Sequence, residues 1–284
     1  MTVDRRRSGA TLVGLLRHAR YEVIPTAGVA ENVLAYVPLE LTVTVTASPA
    51  KGLEATLELT ELLRAAGYRV VPHLSARLVR DGAHLREIVD RLRAVGVDDV
   101  FVPAGDADPP AGRFDAALPL LVELARLGGP FPSVGIPGYP ESHPRIDDDV
   151  AVQAMWDKRG YATYIVSNLC FDARVLATWV ARVRRRQVTL PIHLGVAGPV
   201  ESTKLLAIAT KIGVGESTRF LRTHPLWLTN LIRPGGYSPV RLLHRVSNLL
   251  TAPDSGVAGL HVYTFNQLAE TERWRQRMLE GQPR

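Results

Sequence analysis

LTVTVTASPAKGLEATLELTELLRAAGYRVVPHL, residues 41–74, carries the pattern on which the fold turns. Leu41–Thr46 is rich in β-branched residues, the composition of a strand. Gly52–Gly67 sets its apolar residues at helical spacing and closes on a glycine suited to a helix C-terminus. Tyr68–Leu74 returns to strand composition. A strand, a helix and a strand in close succession form a crossover unit, whose two strands lie parallel with the helix covering one face.

The alternation extends in both directions. Upstream, Glu22–Pro25 reads as a short first strand. Downstream, strands are expected at Asp99–Pro103, Ser133–Ile136, Tyr161–Val166, Leu190–Val196 and Gly259–Tyr263. Helices are expected at Ala83–Val95, Phe114–Leu127, Asp147–Lys158, Ala173–Arg185, from about Val200 to Ile212, and at Gln267–Leu279. Eight strand segments in 284 residues fit a single-domain (β/α)8 barrel spanning residues 1–284. Residues 1–18 read as an N-terminal extension or helix, and residues 216–250 as an extra helical insertion before the last strand. An open doubly wound sheet competes, but no GxGxxG follows an early strand.

Composition narrows the function classes. Hydrophobic residues are 46% and charged residues 22%, ordinary for a folded globular chain. One cysteine excludes a disulfide framework and Cys-rich zinc modules. No apolar run is long enough to span a bilayer, and the N-terminus lacks the form of a signal peptide, so a cytoplasmic location is expected. The net charge of +6 raises nucleic acid as a partner, yet the arginines are scattered and no reading motif accompanies them. Arg184–Arg186 suit the C-terminal end of an amphipathic helix instead. Small anionic ligands account for the surplus equally well.

In a barrel of this type the chemistry gathers at the C-terminal ends of the strands. That rim would carry Glu22, Thr44, Thr46, His73, Ser75, Asp106, Tyr139, Glu141, His143, Asn168, Asp172, His193, His261, Tyr263 and Asn266. Ser75 and Asp172 also suit helix N-caps, and Asp106 sits in a turn-forming stretch. His193 and His261 fall within strands, where packing or hydrogen bonding is the usual role. Glu22 is the most informative, because an acid inside a first strand makes little sense in a core and good sense facing a site. Two chemistries compete for the ring. Histidines 73, 143, 193 and 261 with Asp106 could ligate a hydrolytic metal, although the paired spacings of such sites are missing. Alternatively, Glu22 and Asp106 manage protons in a metal-free site.

Five segments in order, PHLS (Pro72–Ser75), Gly105-Asp106 followed by Pro109-Pro110, GYPESHP (Gly138–Pro144), NLCFD (Asn168–Asp172) and GLHVYTFN (Gly259–Asn266), resemble the methylenetetrahydrofolate reductase family across nearly the whole chain. The resemblance implies a (β/α)8 barrel that reduces 5,10-methylenetetrahydrofolate to 5-methyltetrahydrofolate with NADH or NADPH, usually through bound FAD. It places Glu22, within YEVIPT, on the family's catalytic glutamate and Asp106 on its aspartate near the pterin. Asn168 takes the place of a glutamine that contacts the pterin, and Phe171 and Tyr263 fall beside it as substrate-binding residues. Thr46, His73, Tyr139 and His143 would line the nicotinamide or other cofactor pocket.

The departures lie around the expected flavin phosphates. Ala104 stands where an arginine is usual, the loop ASPAKG after Thr46 is compact, and Gln267 replaces an arginine after the YTxN motif. The lysine spacing before the sixth strand is also broken, at Asp157–Tyr161. We therefore expect a divergent member resembling the actinobacterial branch, with FAD absent or weakly bound. Its partners would be folate and a nicotinamide dinucleotide, with neither nucleic acid nor membrane. Two other readings remain on the sequence: a barrel that binds folate or flavin without turnover, and a metal-dependent hydrolase on the same fold.

Overall fold

The structure, a computed structural model, describes residues 12–140, 148–200 and 239–281. Its strands are β1 (Arg20–Val23), β2 (Thr42–Val45), β3 (Arg69–Pro72), β4 (Asp99–Phe101), β5 (Ser133–Gly138), β6 (Tyr164–Ser167), β7 (Ile192–Ala197) and β8 (Val257–Tyr263). They form one sheet in the order β3-β2-β1-β8-β7-β6-β5-β4. The pairing of β1 with β8 is what an open doubly wound sheet lacks, and it is parallel, with Glu22 opposite Tyr263. Between β3 and β4 the ring is joined by one parallel bridge, His73 to Phe101, and by the Leu74 amide donating to Phe101 O at 2.7 Å. The result is a (β/α)8 barrel closed except for this thin seam.

Strand alternation divides the residues between two cores. Tyr21, Val23, Val43, Val45, Ile165 and Val262 belong to the large apolar layer between strands and helices. Val71, Phe101, Tyr164 and Val166 form a separate small cluster within the ring. By the same alternation Arg20 and Glu22 face inward, while the Tyr21 hydroxyl donates outward to Glu272 at 3.0 Å. Glycines on neighbouring strands make room for the interior rings. A Cβ on Gly195 would lie 2.7 Å from the Tyr263 ring and 2.0 Å from Ser167 O. Near the N-terminal ends of the strands, Arg20 lies 3.0 Å from Asp99, and both hydrogen-bond the Tyr164 hydroxyl at 2.8 Å.

The helices are α1 (Val29–Tyr36), α2 (Glu54–Ala65), α3 (Gly82–Ala94), α4 (Ala117–Arg126), α5 (Asp148–Lys158), α6 (Ala173–Arg185), α7 (Val240–Arg245), α8 (Ser247–Thr251) and α9 (Leu268–Leu279). In α2 the buried Thr56, Leu57, Leu59, Thr60 and Leu63 form the stripe read from the sequence. Asp172 caps α6 by accepting from the amides of Arg174 and Val175, so its structural reading holds.

The structure adds α1, which sequence reading left unassigned. That helix starts at Gly28 with no side-chain cap and buries only Val29 and Val33, so the usual start signal and a long apolar stripe are both missing. The first strand is Arg20–Val23 rather than Glu22–Pro25. Pro25 brings no N–H to a ladder, and the chain turns there with Thr26 N donating to Ile24 O. Residues 12–17 are helical. The helix expected over 200–212 beyond its first residue, residues 216–238 of the insertion, Glu141 and His143 lie outside the described residues.

Candidate active site

Glu22 sits one residue before the end of β1, on the inner face of the barrel. Its side chain is 16% exposed. Oε2 lies 2.9 Å from His261 Nε2 on β8 and 3.9 Å from His73 Nε2, which follows β3. Among the described residues Oε1 has no hydrogen-bond partner. Burial raises the Glu22 carboxyl to about 7, with the nearby His73 pulling the other way. Glu22 is therefore an acid that holds its proton close to neutrality.

The imidazoles around it are neutral. Burial lowers His73 to about 4, offset in part by Glu22 and reinforced by His261. Burial and the Arg20 charge lower His261 to about 3. His193, deeper on β7 and edge-on to Tyr164 at 5.2 Å, is lowered to about 3 by the same two causes and by His261. Among the described residues no three His, Cys, Asp or Glu side chains are placed to hold a metal ion together.

The main chain at Glu22 is pinned from β8. Thr264 Oγ1 donates to Glu22 O at 2.5 Å, and the Asn266 side chain exchanges hydrogen bonds with both the amide and the carbonyl of Ile24 at 2.9 Å. Asn266, a candidate rim group from sequence, thus works as a clamp on the exit of β1. Tyr263 crosses over Gly195 and donates from its hydroxyl to Ser167 O at 3.2 Å, bridging β8 to the end of β6. Burial, Glu22 and Tyr139 all push the Tyr263 phenol well above its usual range. It is a neutral donor and a flat wall.

Tyr139 follows β5 and is half-buried; burial, with the Asp106 charge nearby, raises it to about 12. Asp106 is exposed on the loop after β4. Gly105 shapes that loop: its φ is +87°, and a Cβ there would come 1.7 Å from Ser75 Oγ. Arg77 holds the loop through Ala107 O at 2.6 Å, Asp115 O at 3.2 Å and the Asp108 carboxylate at 3.3 Å. The structure thus brings Glu22, His73, Tyr139 and Tyr263 to one mouth, with Asp106 on its edge beside Tyr139.

The remaining candidates are less committed. Asn168 follows β6, but its side-chain oxygen accepts from the Leu169 amide at 2.9 Å and is already engaged in its own turn. Phe171 is half-buried just beyond it. Thr46 is tied by its backbone, its amide to Val23 O and its carbonyl to Thr56 Oγ1. The following turn closes on itself, with Ser48 and Gly52 bridged and the amides of Lys51 and Gly52 both given to Ser48 O. His261 was legible only as a strand histidine; its partner Glu22 is 239 positions away, and no local signal joins them.

A sequence profile of the methylenetetrahydrofolate reductase family matches residues 29–220. Among solved structures, a protein described as an apo deoxyribose-phosphate aldolase from Toxoplasma gondii matches at a TM-score of 0.50 and 13% identity, over 97% of this chain and 98% of that one. The C-terminal domain of a protein described as a chitinase from Desulfitobacterium hafniense matches at 0.50 and 11% identity, over 94% and 99%. At such identities the two structures speak for the barrel alone.

Proposed function

Because the chain belongs to the methylenetetrahydrofolate reductase family, we propose that it reduces 5,10-methylenetetrahydrofolate to 5-methyltetrahydrofolate with NADH or NADPH, Glu22 serving as the general acid. The observation that carries this reading is a carboxyl poised near 7 at the mouth of the barrel. Acid-catalysed opening of the substrate's imidazolidine ring needs a group that is protonated near neutral pH yet able to give its proton up. The proton passes from Glu22 to the anilinic nitrogen, the ring C–N bond breaks, and its electron pair stays on that nitrogen. The iminium left at the other nitrogen accepts a hydride from the nicotinamide, giving the methyl group and the oxidised dinucleotide.

Asp106, next to Tyr139 at the rim, would hydrogen-bond the pterin and stabilise the developing cation. Asn168 would turn its NH2 to the same ring, while Phe171 and Tyr263 supply flat apolar surface. Thr46, His73 and Tyr139 would border the nicotinamide. His143, outside the described residues, keeps the same assignment on its motif alone.

Flavin is the family's usual intermediary, and the described residues fit its pyrophosphate poorly. The turn after β2 uses the amides of Lys51 and Gly52 internally, leaving neither to cradle a phosphate. Ala104 brings no cation, and the nearby Arg77 is spent on its own loop. These features support direct hydride transfer from the dinucleotide, in a ternary complex. The test is oxidation of NADH, and separately of NADPH, by methylenetetrahydrofolate with and without added FAD. Turnover by colourless protein, unchanged by FAD, is the expected result. Activity that appears only with FAD, or a stoichiometric yellow cofactor on the purified protein, overturns the flavin-free part. No turnover in either condition overturns the whole.

A further inference from the structure

Glu22 Oε2 is bracketed by two imidazoles, but only one is in hydrogen-bond range. His261 Nε2 stands at 2.9 Å and His73 Nε2 at 3.9 Å. His261 itself is 2% exposed, and its Nδ1 is buried without a partner. That asymmetry assigns the tautomer. A proton on Nδ1 would leave a buried N–H with nothing to donate to, which folded proteins rarely tolerate, whereas a bare lone pair there costs less. The proton therefore sits on Nε2, and His261 donates to Glu22 Oε2.

The ring has little freedom to do otherwise. It packs edge-on against Tyr263 at 4.8 Å. Among the described residues, the charged or titratable groups facing it are Glu22 and Arg20 from β1, His73 beyond β3, His193 from β7 and Tyr263 from its own strand. Burial and the Arg20 charge keep it uncharged. An imidazolium in this place would lock Glu22 as a carboxylate; a neutral imidazole steers the carboxyl without removing its proton.

We propose that His261 is the positioning residue of the site: its Nε2–H engages Oε2 of Glu22, fixes the plane of the carboxyl and leaves Oε1 as the oxygen that carries the transferable proton. This rests on Glu22 being the acid of the proposed reaction, and it adds which oxygen acts and what holds it. After the proton leaves Oε1 the same hydrogen bond remains on the carboxylate, so His261 favours the charged product state and opposes the effect of burial.

The test is a direct titration of Glu22 by carbon-13 NMR in protein labelled at the glutamate carboxyls, its resonance identified by its loss in Glu22→Gln. His261→Phe keeps ring volume and removes the donor; His261→Gln restores an N–H at similar reach. In His261→Phe the Glu22 midpoint is expected to move up by about one pH unit, and in His261→Gln to return at least halfway. If His261→Phe does not fold, His261→Asn, whose amide falls short of Glu22, is read in its place. A midpoint unchanged on loss of the donor, or lowered by it, overturns the proposal, as does a His261→Gln midpoint equal to that of the donorless variant. The titration requires no turnover, so it stands even if the assay for folate reduction fails. If the enzyme does turn over, the alkaline limb of kcat/KM should shift with the NMR midpoint across the variants.

Discussion

Thr264 and Glu22 are joined by a hydrogen bond from the Thr264 hydroxyl to the Glu22 carbonyl at 2.5 Å, across 242 positions of sequence. With the Asn266 side chain closing on both backbone groups of Ile24 and on Thr26 Oγ1, it fastens the end of the last strand to the exit of the first. The acid is thereby placed by main-chain contacts as well as by its own side chain.

Asn266→Ala should therefore damage more than a loop. Three hydrogen bonds disappear, and the Ile24 amide is left without a partner, while the Ile24 carbonyl keeps the Thr26 amide. Stability should fall by about 1–3 kcal/mol, measured by denaturant unfolding. In the surviving folded protein kcat should drop more than KM rises, because the acid is displaced while the binding walls remain. An effect on KM alone would contradict the clamp.

Glu22 makes stability depend on pH in a definite direction. Its carboxyl stands at 4.5 in a free chain and about 7 in the fold. Between these values the folded state binds the proton more strongly than the unfolded state, so the side chain costs increasing stability as pH rises. The cost is complete above about pH 7. Glu22→Gln should gain on the parent by about 3 kcal/mol between pH 4.5 and 8. Unfolding midpoints of the two proteins across that range check this; a pH-independent difference would contradict a buried acid.

Gly195→Ala tests the path of Tyr263. The added Cβ would meet Ser167 O at 2.0 Å and the tyrosine ring at 2.7 Å, and backbone cannot yield cheaply. A loss of about 1–3 kcal/mol or more is expected, with Tyr263 forced from its bond to Ser167. Thermal unfolding measures it, and a neutral substitution would mean that the ring lies elsewhere.

Much of this architecture was legible because strand–helix alternation is a local signal. The stripe in α2 and the Asp172 cap are written in consecutive residues and were found where they were read. What escaped depends on the third dimension. Helix α1 begins at an uncapped glycine and buries too little to announce itself. Glu22 was singled out because an acid in a strand is locally anomalous. His261 looked like any strand histidine until the closing pair of strands brought it to Glu22. Asn168 carries the expected chemistry, yet half of its amide turns to its own neighbour, which composition cannot foretell.

A proton donor must be protonated to act. With Glu22 near 7, kcat/KM for folate reduction should be level at lower pH and fall as pH rises through about 7. The decline should approach tenfold per unit. A profile rising through that range would assign the group the role of a base.

The most direct measurement of the central claim is the single-turnover rate of Glu22→Gln with methylenetetrahydrofolate and NADH, beside the parent, in protein whose fold is verified by circular dichroism. Loss of the acid should slow the chemical step by about 10²–10⁴-fold with little change in substrate affinity. A rate within a few-fold of the parent would show that Glu22 is not the acid.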